Sequence, residues 1–366
     1  MKTAIQNLTP AFSIHPGAMI LDEILANDYT QSSLAKKVGM NKSQLNETIK
    51  GKRDVNAELA ILLEAALGLP AQYWLNLQNQ YDIDKAKVEN KAIERIKAIK
   101  DFSKVESFIP KKYLKKQCII SGDPMKDLPK VYDVYKVSNL EGLISEYQSP
   151  QYARFKQSEK LDVDKTNLIA WVKFSEYTAK DFEASKFKPE VKNELVAELR
   201  KVIYENKDVH KRVRAVLRQY GIKLLYQQKA DKVPIDGYAF WSDDNPTIAM
   251  TLRHKRLDNF AFTLFHELGH IFLHLLNDKS KEIIDLSNSD NDFKKSKEEV
   301  EADDFALDHL IPKEKWENFL LKSPISESMI REFANEIGIN PSIIFGRYCY
   351  ESKKYNFKTT ISHVIG

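Results

Sequence analysis

Cysteine is scarce in this sequence. Its 366 residues contain only Cys118 and Cys349, too few for the disulfide network that stabilises many small secreted proteins. This scarcity suits a reducing compartment, and we therefore expect a cytoplasmic protein.

Long apolar runs are also missing. No run approaches the roughly 20 apolar residues needed to cross a bilayer, and residues 1–7 lack the apolar core of a signal peptide. The hydrophobic content of 43% nevertheless supplies core for two or three domains. We expect a multidomain chain with no membrane partner.

The most informative stretch is residues 257–274, a dense apolar pattern typical of a buried helix, with Asp258 as its expected N-cap. His266 and His270 are four residues apart, so both imidazoles lie on one helical face and can bind one cation. Glu267 beside them can accept a proton from water that a metal has made acidic. This His-Glu-x-x-His pattern predicts a catalytic zinc site.

A histidine pair on an apolar helix is more often core packing than a metal site, so a third ligand is needed. A second helical run follows at residues 298–306. There Glu299 and Asp303 share a face, which predicts Glu299 as the third zinc ligand and Asp303 as the residue that orients a ligating histidine. Glu298 and Glu301 are competing ligands. His274 has turned further around the helix, and we expect it to pack or to support the site rather than to bind the metal.

A different zinc-peptidase pattern is excluded by the residues after the histidine pair. The metzincin pattern requires a glycine where this chain has Leu273, and a further histidine that is not at the required distance.

Residues 15–84 read as five short helices. The first begins at His15-Pro16-Gly17 and turns Met19, Ile20, Ile24 and Leu25 inward. Thr30 caps the second helix, which runs from Gln31 to Val38. After a turn at Gly39-Met40, Asn41 caps a third, which ends at Gly51. Two helices across a short glycine turn are typical of a helix-turn-helix DNA-binding module.

Charge supports this interpretation only locally. Residues 1–84 carry seven basic and nine acidic side chains, but six of the seven basic ones fall between Lys36 and Arg53. This cluster, which includes Lys52 and Arg53, predicts contacts to DNA phosphates. A small structural helical bundle is the alternative.

The segment resembles the HigA-type antitoxins of the XRE helix-turn-helix family. The resemblance lies in His15-Pro16-Gly17, residues 29–35, Gly51-Lys52-Arg53 and residues 73–82. It implies a homodimer that binds double-stranded operator DNA and a toxin partner. It also implies that Gln31 and the start of the third helix face DNA, and that Tyr73, Trp74 and Leu77 complete the core. The residues placed at the start of the third helix are Asn41, Lys42, Ser43, Gln44 and Glu47.

Residues 85–150 predict a basic helical connector, with Ile93, Ile96 and Ile99 facing inward. Its charge is that of a solvated helix, although a second contact to DNA or to an acidic partner is an alternative.

Residues 151–366 predict an α+β domain with a small sheet. Residues 168–172 fit either a strand or a helix, 189–204 and 209–220 predict helices, and 221–226, 237–241 and 247–251 predict strands. The last two strands should form a hairpin just ahead of the zinc helix, and an edge strand there could bind an extended peptide. Residues 279–297 predict a polar loop.

This domain resembles the ImmA/IrrE metallopeptidase family. The resemblance lies in Gly237, residues 247–248, 256–258, 262–264 and 266–270, His274, Glu299, Ala302, and residues 305–306, 310–312, 333–334, 338–341 and 346–348. It implies zinc-dependent control of a transcriptional regulator, by cleavage or otherwise. Many members carry Asn where this chain has Asp303.

The sequence therefore predicts a multidomain protein with three parts: an all-α helix-turn-helix domain (1–84), a helical connector (85–150) and an α+β zincin-like metallopeptidase domain (151–366). We expect a DNA-binding regulator whose zinc-dependent endopeptidase cleaves a protein partner or itself. The alternative is a non-catalytic antitoxin or repressor whose zinc site is structural or sensory.

Overall fold

A computed structural model of the protein describes residues 14–88, 90–149, 152, 164–252, 255–281, 283–286, 296–322, 324–354, 356 and 358–366. The chain divides into two compact units, residues 1–102 and 103–366. The division lies inside the segment predicted to be a connector.

The first unit is helical, as predicted. Its helices are α1 (Pro16–Ala26), α2 (Gln31–Lys37), α3 (Lys42–Ile49), α4 (Ala57–Leu67) and α5 (Ala71–Val88). The predicted cap of α2 is confirmed, because Thr30 Oγ1 accepts a hydrogen bond from the Ser33 backbone N–H at 3.1 Å. Gly39 and Gly51 both have positive φ, which lets the chain turn at the ends of α2 and α3.

The core of this unit includes Trp74, Leu34, Leu45 and Ile20, all fully buried. The inward prediction for Leu25 is wrong, because its side chain is 68% exposed. Helix α1 has only one buried face, which Ile20 and Ile24 already occupy, and the next residue along a helix points about 100° away.

Helical structure continues through the predicted connector. It comprises α6 (Asn90–Val105), α7 (Lys111–Lys116), α8 (Pro124–Val134) and α9 (Leu140–Gln148).

The orientation predicted for α6 is wrong. Ile93, Ile96 and Ile99 are 42–49% exposed, whereas Ala98 and Phe102 on the opposite face are buried. Helix α6 has apolar residues on both faces, so periodicity alone could not indicate which face is covered.

The second unit surrounds a small sheet with helices. The helices are α10 (Lys165–Ala179), α11 (Lys192–Glu205), α12 (Val209–Gln219), α13 (Leu257–Gly269), α14 (Lys297–Leu310), α15 (Lys313–Leu320), α16 (Glu327–Ile337) and α17 (Pro341–Ser352). Residues 168–172, for which strand and helix were both open, belong to α10.

The sheet contains β1 (Lys223–Gln227), β2 (Ile235–Ser242), β3 (Asn245–Thr251) and β4 (Ile283–Leu286) in the order β1-β3-β2-β4. Strands β2 and β3 form the predicted hairpin, β1 runs parallel to β3, and β4 runs antiparallel to β2.

The expectation of an edge strand just ahead of the zinc helix is wrong. Strand β3 has a partner on each side, and so does β2. The hairpin fixes only one neighbour of each strand, and the other neighbours come from distant segments that local pattern does not identify. Strand β4 lies within the segment predicted to be a polar loop, and residues 287–295 of that segment lie outside the described part of the chain.

Helix α13 runs through the core of the second unit, with Leu257, Ala261, Leu264, Phe265 and Leu268 fully buried. The expected N-cap is wrong: α13 begins one residue before Asp258, and Arg256 occupies the cap position. The Asp258 carboxylate instead accepts hydrogen bonds from the Arg256 guanidinium at 2.6 and 3.0 Å. It also fills the space beside Gly346, where a Cβ would lie 2.2 Å from Asp258 Oδ2.

None of the described helices combines the length and the apolar content needed to cross a bilayer.

We predict that Gly17→Ala destabilises the first unit. A Cβ at residue 17 would lie 2.2 Å from the Thr48 carbonyl oxygen and 2.6 Å from that of Ile49. Overpacking of this kind costs about 1–3 kcal/mol, which exceeds the gain in helix propensity of about 1 kcal/mol. Hydrogen exchange of the full chain should accelerate in residues 16–49 and remain unchanged in the sheet.

The matched control is Ala18→Ser at the exposed neighbouring position, which should leave exchange close to that of the wild type. Slower exchange in Gly17→Ala would mean that α1 and α3 are not in close contact.

Candidate metal centre and nucleic-acid interface

The predicted zinc-binding histidines lie on the buried helix α13 and at its C-terminal end. His266 is 2% exposed, and Glu267 and His270 are fully buried. A buried imidazole or carboxylate is costly unless it has a polar partner or a cation. The many apolar residues of this helix explain why it lies in the core. His266, Glu267 and His270 are polar side chains buried among them.

Helix α14 brings the predicted third ligand to the histidines. Ser296 caps this helix by accepting from the Glu299 N–H at 3.2 Å, which places Glu299 in its first turn, where the helix dipole stabilises a carboxylate. The two helices approach closely at Gly269, where a Cβ would lie only 3.0 Å from Ala302 Cα. Glycine permits this approach because it carries no side chain.

The structure places three potential donor atoms next to one another. His266 Nε2 lies 2.9 Å from His270 Nε2, and the Glu299 carboxylate oxygens lie 3.3 Å from His266 Nε2 and 3.6 Å from His270 Nε2. Donors of a tetrahedral zinc ion, with bonds of about 2 Å, lie roughly 3.3 Å apart. Among the described residues, these three form the group that could hold a metal ion.

A hydrogen bond to Asp303 orients the His266 ring. His266 Nδ1 lies 2.9 Å from Asp303 Oδ1. A carboxylate accepts, so the proton belongs on Nδ1 and the lone pair of Nε2 faces His270 and Glu299. The predicted pairing of Asp303 with a histidine is therefore seen in the geometry.

Burial keeps the His270 ring neutral. Desolvation, with the neighbouring His266 and His274 imidazoles, lowers the pKa of His270 to about 2. A neutral imidazole is the form that ligates metals. The donor set, its spacing and the protonation of its most buried member all fit a zinc ion.

Glu267 lies against the sheet. A Cβ at Gly237 on β2 would lie 2.0 Å from Glu267 Oε1 and 2.6 Å from its Cδ, so the carboxylate occupies the space that a side chain there would take. Local pattern does not explain a glycine in the middle of β2. The need for room beside Glu267 supplies the reason.

The two competing acids on α14 have other neighbours. Glu298 Oε1 lies 3.6 Å from Lys281 Nζ, and Glu301 Oε2 lies 3.0 Å from His274 Nε2. Neither is close to the donors of His266 and His270 in the way Glu299 is.

The chain leaves α-helical geometry at the second histidine. His270–Leu275 forms a π-helical turn, in which i→i+5 hydrogen bonds replace i→i+4 bonds and the helix widens. His274, four residues after His270, lies against it, with 3.1 Å between the two Nδ1 atoms. Sequence reasoning left packing and support of the site both open for His274, but it assumed a regular α-helix and missed the π-helical turn. The repeat of histidine at every fourth residue was the only signal of the contact.

The residues predicted to contact DNA lie on the second and third helices and the turn that follows. Asn41, Lys42, Ser43 and Glu47 are exposed at or on α3, and Lys52 and Arg53 are exposed just after it. Gln31 begins α2 and is half-buried, as is Gln44, whose Oε1 accepts from the Asn41 N–H at 3.3 Å.

One member of the basic cluster is engaged within the unit. Lys37 donates to the Ala66 carbonyl oxygen at 2.9 Å and to the Tyr29 hydroxyl. The exposed charges that remain beside α3 are those of Lys36, Lys42, Lys50, Lys52 and Arg53.

Comparison with known families matches both units. Residues 21–74 match a helix-turn-helix family, and residues 217–339 match the IrrE N-terminal-like domain, a metallopeptidase family that typically binds zinc.

Two curated relatives come from Dichelobacter nodosus. Virulence-associated protein I is 34% identical over 92 residues, which are 25% of this chain and 83% of that protein. Virulence-associated protein A′ is 31% identical over 72 residues, which are 19% of this chain and 63% of that protein.

Solved structures give similar matches in the N-terminal region. The antitoxin HigA of Pseudomonas aeruginosa with the higBA promoter is 30% identical, covering 22% of this chain and 87% of that one, with a TM-score of 0.21. An addiction module antidote protein of the HigA family from Coxiella burnetii is 26% identical, covering 27% and 97%, with a TM-score of 0.20. By its N-terminal unit this chain belongs to the XRE-type helix-turn-helix family, and its C-terminal unit carries an IrrE N-terminal-like metallopeptidase domain.

Proposed function

We propose that this protein is a DNA-binding transcriptional regulator of antitoxin type that also acts as a zinc-dependent endopeptidase. Its substrate is a regulatory protein partner or the chain itself. The observation that carries the peptidase half is the convergence of His266, His270 and Glu299 beside the buried Glu267.

The proposed metal ligands are His266, His270 and Glu299. Two histidines and a glutamate are a donor set of catalytic zinc, which keeps one position open beyond its three protein ligands. Among the described residues three such side chains converge, not four. Bound there, zinc would supply a Lewis acid and make water acidic enough to attack a peptide at neutral pH.

Glu267 is the proposed general base. It follows His266 on α13, and Gly237 leaves room for its carboxylate beside the sheet. In this role it accepts the proton of the attacking water and delivers it to the leaving amine. Asp303 holds His266 in the tautomer that ligates through Nε2.

The alternative is a non-catalytic antitoxin or repressor in which the zinc is structural or sensory. A structural site needs no base, so a buried glutamate next to the ligands favours catalysis. A fourth protein ligand in place of water would favour the alternative.

The DNA-binding half rests on α2 and α3. The helix-turn-helix family match covers both helices, and the exposed basic residues beside α3 would meet phosphates. We propose that the protein binds a two-fold related operator as a homodimer, with half-sites about one helical turn apart or a multiple of it. A toxin partner and a cytoplasmic location belong to the same proposal.

Glu299→Ala should lower zinc affinity at least about tenfold, because it removes one of three protein ligands. Competition with a chromogenic chelator measures the affinity. Glu298→Ala is the matched control on the preceding residue and should bind zinc like the wild type. The ligand assignment is wrong if the two variants exchange these behaviours.

Glu267→Gln should retain zinc and lower the cleavage rate by a factor of about 10²–10⁴, the usual contribution of a general base. Gly237→Ala should also retain zinc but lose activity, because its Cβ would displace the Glu267 carboxylate. The assay incubates each variant with the product of the neighbouring gene and detects new termini, including those of the chain itself, by mass spectrometry. Equal cleavage by the wild type and Glu267→Gln would exclude the catalytic role.

Lys42→Ala and Ser43→Ala should change the sequence preference of operator binding, since both residues lie exposed at the start of α3. Lys52→Ala and Arg53→Ala should instead weaken binding to all sequences and reduce the salt dependence, because they remove phosphate contacts. Titrations of promoter and scrambled DNA at several salt concentrations separate these effects. An unchanged preference in the first pair would contradict the placement of the recognition helix.

A further inference from the structure

His274 lies on the π-helical turn and is 94% buried, with a side chain directed at the proposed zinc ligand His270. The zinc site as proposed above gives it no role. A buried histidine in a core is usually satisfied by one polar partner. His274 has one on each ring nitrogen.

The two contacts of His274 connect α14 to the proposed metal site. Glu301 Oε2 lies 3.0 Å from His274 Nε2, and His274 Nδ1 lies 3.1 Å from His270 Nδ1. The other Glu301 oxygen lies 3.4 Å from Lys297 Nζ. The His270 Nε2 atom at the far end faces His266 and Glu299.

The chemistry of these partners fixes where the protons lie. An ionised carboxylate only accepts, so His274 carries its proton on Nε2 and donates it to Glu301. In this tautomer the His274 ring presents Nδ1 as an acceptor. The single proton between the two Nδ1 atoms must come from His270, whose Nε2 is left with a lone pair for a metal.

The reverse arrangement would disable the site. If His274 donated from Nδ1, the His270 ring would have to accept there and carry its own proton on Nε2. That nitrogen could not then ligate a metal. Glu301 opposes this arrangement by accepting the proton of His274 Nε2.

His270 and His274 are four residues apart, and residues at this spacing are neighbours on a helix. In a continuous α-helix His274 would be rotated further from His266 than His270 is. The i→i+5 turn from His270 to Leu275 keeps the two rings adjacent, with 5.3 Å between their centroids.

We propose that His274 and Glu301 are positioning residues that hold His270 in its metal-ligating tautomer and orientation. This inference rests on the proposed zinc site. It makes the site symmetric in function: Asp303 orients His266 directly, and Glu301 orients His270 through His274. Both carboxylates come from α14, which also supplies Glu299.

The competing role for His274 is simple packing, and three substitutions separate the two. His274→Ala removes both the volume and the acceptor. His274→Asn keeps an acceptor oxygen close to the position of Nδ1. Glu301→Ala removes the carboxylate, and Glu298→Ala is its matched control, since Glu298 pairs with Lys281.

Zinc affinity of the full chain is measured by chelator competition. We expect His274→Ala to bind about 10–100-fold more weakly than the wild type, the usual effect of removing such a partner. His274→Asn should recover most of the loss, and Glu301→Ala should weaken binding while Glu298→Ala does not. Wild-type affinity in His274→Ala would overturn the proposal. Equal losses in His274→Ala and His274→Asn would also overturn it, because they would indicate packing.

A second measurement needs no variant and no metal. In protein labelled with ¹⁵N-histidine, NMR couplings between ring nitrogens and carbon-bound protons report the tautomer of each ring. We expect His274 protonated on Nε2 and His270 on Nδ1. A proton on His274 Nδ1 would overturn the relay even if His274→Ala fails to fold.

The two proposals fail in different ways. A wild-type chain that binds no zinc contradicts the proposed function, while the tautomers of His270 and His274 still test the relay. Normal zinc binding and cleavage in His274→Ala contradict the relay alone.

Discussion

The close approach of α13 and α14 is the constraint on which the proposed metal site depends. Gly269 and Ala302 allow the two helices to pack with only 3.0 Å between a hypothetical Cβ and the Ala302 Cα. The proposed donor atoms are 2.9–3.6 Å apart. A larger side chain at either position would push the helices apart, and site geometry tolerates displacements of only about 0.5 Å. Small residues therefore matter here as much as the ligands.

Sequence predicted the features whose geometry is local. The four-residue spacing of His266 and His270, the cap at Thr30 and the glycine turn at Gly39 each specify a structure within one or two helical turns. Each was found where the pattern indicated. The proximity of Glu299 to the two histidines is not a local feature. It was predicted because catalytic zinc usually takes three protein ligands.

Features that depend on a distant partner could not be predicted. The neighbours of β3 and the packing of Asp258 against Gly346 are set by segments remote in sequence. The π-helical turn at His270 was not predicted either. The rotation of His274 was estimated from the regular α-helical period, which the chain leaves at this point. Patterns in one segment indicate which residues are apolar, but not which surface will cover them.

Three alternate acidic residues of α14 all contact histidines at or next to the proposed metal site. Glu299, Glu301 and Asp303 look like a solvated face, yet one lies at the donor group and the other two accept from imidazoles. Glu267 is fully buried and the Glu299 side chain is 20% exposed, and holding a carboxylate away from water is costly. The first turn of α14 offsets part of that cost at Glu299. A divalent cation at the proposed donor group would offset a further part of the cost at Glu299, which is one of its proposed ligands.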